Sequence, residues 1–126
     1  MKIPENYLPV MPYIIIDDAV AFLDFAKKVF GASEQLIVLG EDGRGIMHGE
    51  IKIGDAVLML ANSNKNWGSK TSGMFIYVED ADKVYKAGLV HGATSLMEPV
   101  KQDYGYSGGF EDPFGNHWWI CQGEYL

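Results

Sequence analysis

His48 and Glu50 stand two residues apart in Ile46-Met47-His48-Gly49-Glu50-Ile51-Lys52-Ile53, a segment whose residues and length read as a β-strand. Strand side chains alternate between faces, so both project from one side, roughly 7 Å apart along the backbone. An imidazole and a carboxylate in that relation can pass a proton as a general acid/base pair. A strand with one face in water carries the same pattern for no chemical reason. His117 is the third candidate for acid/base work, sharing a strand face with Trp119 near the end of the chain. His91 ends a helical run, where a hydrogen bond to a free carbonyl accounts for it. Cys121, the only cysteine, has no recognisable activating partner. Beside Trp119 and Ile120 it reads as a small core residue, and alone it can form neither an intrachain disulfide nor a cysteine-based zinc site.

A second group of residues points to binding rather than bond-making. Tyr13, Phe75, Tyr77, Tyr104, Tyr106, Trp118 and Trp119 supply faces that attract flat or cationic ligands, about 0.5–2 kcal/mol for each contact. Glu50 and Asp103 add negative charge nearby. Core packing uses the same residue types, and Trp118 reads as core.

These side chains must be positioned by a fold that is written twice. Tyr13-Ile14-Ile15-Ile16-Asp17-Asp18-Ala19 returns as Phe75-Ile76-Tyr77-Val78-Glu79-Asp80-Ala81, 62 positions later (75 minus 13). Each copy runs from an apolar strand through an acidic cap into a helix that stops at a glycine, in Val29-Phe30-Gly31-Ala32 and Val90-His91-Gly92-Ala93. The first copy is expected as a strand over 10–16, a helix over 19–30, strands over 33–39 and 45–53, and a last strand over 57–61. The second repeats it, with a strand over 74–78, a helix over 81–91, a strand over 94–99, a glycine- and tyrosine-rich stretch over 104–110, and a strand over 116–122. Parity assigns Val10, Pro12, Ile14 and Ile16 to the helix side, and Met11, Tyr13 and Ile15 to the other. In the 46–53 strand, Met47, Ile51 and Ile53 are expected in the core, with Ile46, His48, Glu50 and Lys52 opposite. The fold class is therefore α+β: two βαβββ modules, about 9–61 and 73–122, joined by 62–72 in one domain spanning 1–126, with eight strands in a curved mixed sheet and a ligand cleft between the modules. Trp67, in the polar connector, is expected to pack onto the body.

Composition narrows the class further. An apolar content of 48% with 13% aromatics suits a globular protein, and no apolar run reaches the roughly 18 residues of a membrane span. The amino terminus lacks the apolar stretch of a signal peptide, so a cytoplasmic location is the expectation. A net charge of −7 argues against nucleic-acid partners, which need lysine and arginine to neutralise phosphates. It suits a cationic ligand weakly and solubility well.

The duplicated plan, the segment Ile46 to Asp55, and the ending Gly108-Gly109-Phe110-Glu111-Asp112-Pro113-Phe114-Gly115-Asn116-His117-Trp118-Trp119-Ile120 together resemble the vicinal oxygen chelate superfamily of glyoxalases, bleomycin-resistance proteins and dioxygenases, most of all its PhnB-like subgroup. The resemblance implies the glyoxalase/bleomycin-resistance fold and commonly a homodimer. It also implies places for metal ligands, on Met11, Met59, Gly73 and Trp119. None of these supplies the imidazole or carboxylate that such an ion takes, so no metal and no cofactor is expected. The subgroup's aspartate and arginine after the loop glycine are replaced by Tyr106 and Ser107. Two readings stand open: a metal-free protein binding a planar or cationic small molecule through Tyr13, His48, Glu50, Phe75, Tyr77, Tyr104, Tyr106 and Trp119, or a metal-independent lyase or isomerase of small carbonyl compounds using His48, Glu50 or His117.

Overall fold

The computed structural model describes residues 1–124, so the last two positions of the expected domain lie outside the described residues. Two compact units emerge, residues 1–71 and the chain from Ser72 onward, with the division inside the expected connector. Each has the expected βαβββ order. The first unit contains β1 (Tyr13–Ile16), α1 (Ala19–Phe30), β2 (Ser33–Leu39), β3 (Ile46–Ile53) and β4 (Ala56–Asn62). The second contains β5 (Gly73–Val78), α2 (Ala81–Val90), β6 (Thr94–Gln102), β7 (Gly105–Glu111) and β8 (His117–Gln122). Hydrogen bonding makes two four-stranded mixed sheets, ordered β1-β4-β3-β2 and β5-β8-β7-β6. In each, the first strand lies parallel to the last, and the other neighbours are antiparallel.

The helices begin and end where local chemistry requires. The Asp18 carboxylate accepts from Ala21 N–H and that of Asp80 from Lys83 N–H, each satisfying one of the free donors of a first turn. Gly31, at φ 69°, closes α1 in the left-handed region that glycine enters without cost. His91 ends α2 with its backbone N–H on Ala87 O.

Each helix covers one face of its sheet. Phe22, Phe25 and Ala26 of α1 are buried together with Ile14, Ile16, Ile51, Leu58 and Leu60. On α2, Gly88 lies so close to the ring of Phe110 that an added Cβ would stand 2.2 Å from it. Trp118 and Ile120, adjacent on β8 to the open-face residues, are buried on this same side.

Three local expectations are corrected. Val10 precedes β1 and is 86% exposed, because pairing with β4 begins only at Tyr13↔Met59. Trp67 is two-thirds exposed rather than packed down. Ile46 is buried and Met47 is 61% exposed, the reverse of the expected faces. The cause is a bulge: Val38 pairs with His48 and Leu39 with Ile46, which leaves Met47 unopposed and turns the strand's face at that point.

Candidate functional site

The face of the first sheet away from α1 carries a chain of hydrogen bonds. Beyond the bulge β3 keeps regular alternation, so His48 and Glu50 share this face as their spacing requires. Their partners come from three other segments. His48 Nε2 lies 2.8 Å from Glu50 Oε2 and its Nδ1 lies 3.0 Å from the Tyr13 hydroxyl. Glu50 Oε1 accepts from the Tyr7 hydroxyl at 2.7 Å and from Gln35 Nε2 at 3.1 Å. Gln35 reaches this face because β2 has its own irregularity between Glu34 and Leu36.

Glu50 is 3% exposed, which makes it a buried charge with a full set of partners. Burial by itself would raise its carboxyl, but the hydrogen bonds from His48, Gln35 and Tyr7 outweigh it and hold the group below the ordinary carboxylate value. The Tyr7 phenol moves up in turn, chiefly through its bond to that carboxylate. Tyr7 and Gln35 were not singled out from sequence. Nothing local marks them, since Tyr7 sits outside any element and Gln35 depends on the register of β2.

The face of the second sheet away from α2 is aromatic. Phase along β5 and β8 brings Phe75 opposite Trp119 and Gly73 opposite His117. The Trp119 ring lies across Gly109, where an added Cβ would come within 2.4 Å of its Cε3. Phe75 meets Tyr77 edge to face at 5.2 Å and lies 6.4 Å from the Tyr104 ring. Phe75, Tyr77 and Tyr104 are each more than half exposed. At the border, His117 Nε2 is 2.9 Å from Glu111 Oε1 and its ring stands perpendicular to Trp119 at 6.2 Å.

Tyr106 does not join this group. Its hydroxyl donates to Asp82 of α2 at 2.7 Å, which places it on the helix side, and that bond raises its phenol. Asp112, at the start of the turn into β8, is buried and accepts from Phe114 N–H, Asn116 N–H, Asn116 Nδ2 and Trp118 Nε1. This carboxylate shapes the turn that sets the register of His117 and Trp119.

The places where the resemblance puts metal ligands do not fit an ion. Met59 and Trp119 lie on the open faces, next to Tyr13 and Phe75 respectively, and Gly73 has no side chain. A thioether and an indole are not ligands for a hard or borderline divalent cation. Among the described residues, no three histidine, cysteine, aspartate or glutamate side chains gather around a common point. Also among the described residues, no helix is long and apolar enough to cross a membrane.

Comparison with known proteins agrees with this architecture. An uncharacterized protein of Mycobacterium bovis is 29% identical over 123 residues, covering 88% of this chain and 80% of that protein. The PhnB protein from Bacillus cereus superposes with a TM-score of 0.72 at 15% identity, over 92% of this chain and 100% of that one. The fosfomycin resistance protein FosX from Mesorhizobium loti superposes with a TM-score of 0.66 at 17% identity, over 91% of this chain and 90% of that one. The family model described as the Glyoxalase/Bleomycin resistance protein/Dioxygenase superfamily matches residues 8–120, nearly the whole chain, and the protein belongs to that superfamily.

Proposed function

We propose that the protein is a metal-free small-molecule binding protein of the glyoxalase/bleomycin-resistance type, taking a planar, partly cationic compound on its aromatic open face. The observation that carries this reading is the Trp119 ring laid across Gly109 beside the exposed Phe75, Tyr77 and Tyr104 rings. A stacking surface of this kind costs exposure of apolar area, which a folded chain otherwise minimises. Glu111 next to His117 gives the border an acidic group for a cation.

Titration with proflavine, a flat cationic acridine, tests the reading through tryptophan fluorescence. Binding weakened about tenfold or more by Trp119→Ala, the scale of a lost aromatic anchor, supports it. Equal affinity in wild type and variant overturns it. We further propose a homodimer, since each sheet leaves unpaired edges that a second copy would cover; a particle of 14.0 kDa in sedimentation at micromolar concentration refutes it.

A second reading, a metal-independent lyase or isomerase of small carbonyl compounds, draws support from the Tyr13–His48–Glu50 chain of hydrogen bonds. Proton exchange from the α-carbon of such compounds into deuterated buffer, lost in His48→Gln, is the corresponding measurement.

A further inference from the structure

The segment ahead of β1, residues 1–9, lies lightly on the first unit. Ile3 and Tyr7 are partly covered and the other seven residues are exposed. Among the described residues, two hydrogen bonds tie this segment to the rest of the unit: the Tyr7 hydroxyl donates to Glu50 Oε1 at 2.7 Å, and Gln35 Nε2 donates to Asn6 O at 3.3 Å. Both lead to one place, because Gln35 Nε2 also donates to Glu50 Oε1 at 3.1 Å. The segment is latched through a single buried carboxylate.

Local sequence prepares that contact. Tyr7 N–H donates to Pro4 O and closes a four-residue turn over Pro4-Glu5-Asn6-Tyr7. Asn6 stands at φ 70°, the one non-glycine residue in the left-handed region among the described residues. With Glu5 outside that region, the turn follows the type II pattern, whose third position takes glycine or asparagine. The same turn presents Asn6 O to Gln35 and the Tyr7 phenol to Glu50.

A tail needs no ion to hold it down, since an apolar side chain does so without the cost of burying a carboxylate. Glu50 is instead held ionised by donors from three segments: Tyr7 and Gln35 on Oε1, and His48 on Oε2. Of the three, Tyr7 comes from outside the sheet, while Gln35 on β2 and His48 on β3 remain when it leaves. The second unit has no such arrangement. There Gly109 stands opposite Trp119 as Glu50 stands opposite Met59, and the Trp119 ring covers it.

We propose that residues 1–9 form a releasable strap, and that its departure opens a site on the Glu50 carboxylate for a small guanidinium or amidinium cation, whose N–H groups replace the Tyr7 hydroxyl. This site belongs to the first unit and is independent of the aromatic face. Loss of the phenol frees a lone pair on Oε1, and a planar fork of N–H donors matches a carboxylate better than one hydroxyl does. The cation also neutralises a buried charge that a phenol only solvates. Strap and ligand exclude each other, so each weakens the other by the same factor. The closed strap lowers the apparent affinity by the fraction of molecules in which it is open.

The probe is methylguanidinium, with N-methylurea as its uncharged counterpart of the same shape, titrated into the ¹⁵N-labelled full chain. Binding is read at the Gln35 side-chain NH₂ signals, and order in the strap by the heteronuclear NOE of the Asn6 and Tyr7 amides. The Trp119 indole N–H reports the aromatic face separately. In wild type, saturating methylguanidinium should lower both NOEs to those of a mobile tail, and N-methylurea should leave them unchanged. Tyr7→Phe, which deletes only the hydroxyl, should loosen the strap without ligand and bind methylguanidinium about tenfold or more tightly, the low end for a hydrogen bond to a charged acceptor. Asn6→Val strains the turn while keeping every Glu50 partner, and should act in the same direction. Adding Glu50→Gln to Tyr7→Phe should abolish the gain. Methylguanidinium that binds wild type with the strap still ordered, or no tighter in either single variant, would overturn the site. A strap that stays ordered in Tyr7→Phe would overturn the latch.

Discussion

Asp112 is the place where one substitution should cost most for its size. Its carboxylate takes four donors, all at 2.9 Å: the backbone N–H groups of Phe114 and Asn116, Asn116 Nδ2 and Trp118 Nε1. A hydrogen bond to a charged acceptor contributes about 1.5–3 kcal/mol, yet four such values cannot simply be added within one network. Asp112→Ala leaves different donors in different positions. Phe114 is half-buried, so water can replace the carboxylate at its N–H. The Asn116 and Trp118 side chains are 0% and 2% exposed and cannot be reached without opening the unit. Three buried donors lose their acceptor, the Asn116 N–H and Nδ2 and the Trp118 Nε1; at about 1–3 kcal/mol each, and less than additive within one network, they give a loss of roughly 3–6 kcal/mol. The damage should travel, because Asn116 Oδ1 also accepts from Ser72 N–H at the head of β5. Urea unfolding followed by near-ultraviolet circular dichroism is the assay. The midpoint should fall with little change in slope, and Asp112→Asn, which keeps one acceptor oxygen, should lose less. Trp118→Phe should cost less in the Asp112→Ala background than in wild type, since its N–H has already lost its acceptor. A loss below about 1 kcal/mol for Asp112→Ala would refute the reasoning, because it would mean that those buried donors find other partners.

Three other outcomes follow from the geometry. Gly88→Ala would push a methyl into the Phe110 ring, 2.2 Å from its Cε2, and should destabilise by about 1–3 kcal/mol; a neutral result in denaturant would show that α2 shifts freely. Glu50's folded value lies below the ordinary 4.5, so its contribution is fully present above that value and is lost as pH falls through the folded one; the acid limb of stability against pH should be shallower in Glu50→Gln, and equal limbs would refute this. Elemental analysis of protein purified without added metal should find no stoichiometric Zn²⁺, Ni²⁺, Mn²⁺ or Fe²⁺, and a chelator should leave stability unchanged; one equivalent per chain would contradict the donor argument built on Met11, Met59, Gly73 and Trp119.

The parts of the fold legible in the sequence were those encoded locally. α1 runs from Ala19 to Phe30 as its spacing and its Asp18 and Gly31 boundaries dictate, and the repeat at 62 positions marks both modules. His48 and Glu50 share a face because they lie on the regular side of the bulge. What could not be read locally was cross-strand register. Nothing in Ile46-Met47-His48 tells which residue will stand unopposed, since that depends on where β2 pairs, and that pairing reverses the faces of Ile46 and Met47. Sequence alone does not distinguish Tyr106 from the tyrosines of the ring cluster; its side of β7 follows from pairing with β6 and β8. The partners of Glu50 were invisible for a related reason: Tyr7 and Gln35 arrive from 43 and 15 residues away.

The parallel pairing of first and last strands also dictates an order of assembly. β2, β3 and β4 follow one another through tight turns and can zip up as a meander soon after they meet. β1 must wait, because Tyr13 finds its partner Met59 only after nearly all of the unit has formed. The same holds for Gly73 and His117 in the second unit. Closing so long a loop costs entropy that only the finished sheet repays. On the ribosome, Tyr13-Ile14-Ile15-Ile16 would therefore emerge early and stay unpaired longest, as a short apolar strand in search of an edge. Its brevity, four residues, then limits how well it can pair with the wrong chain while it waits.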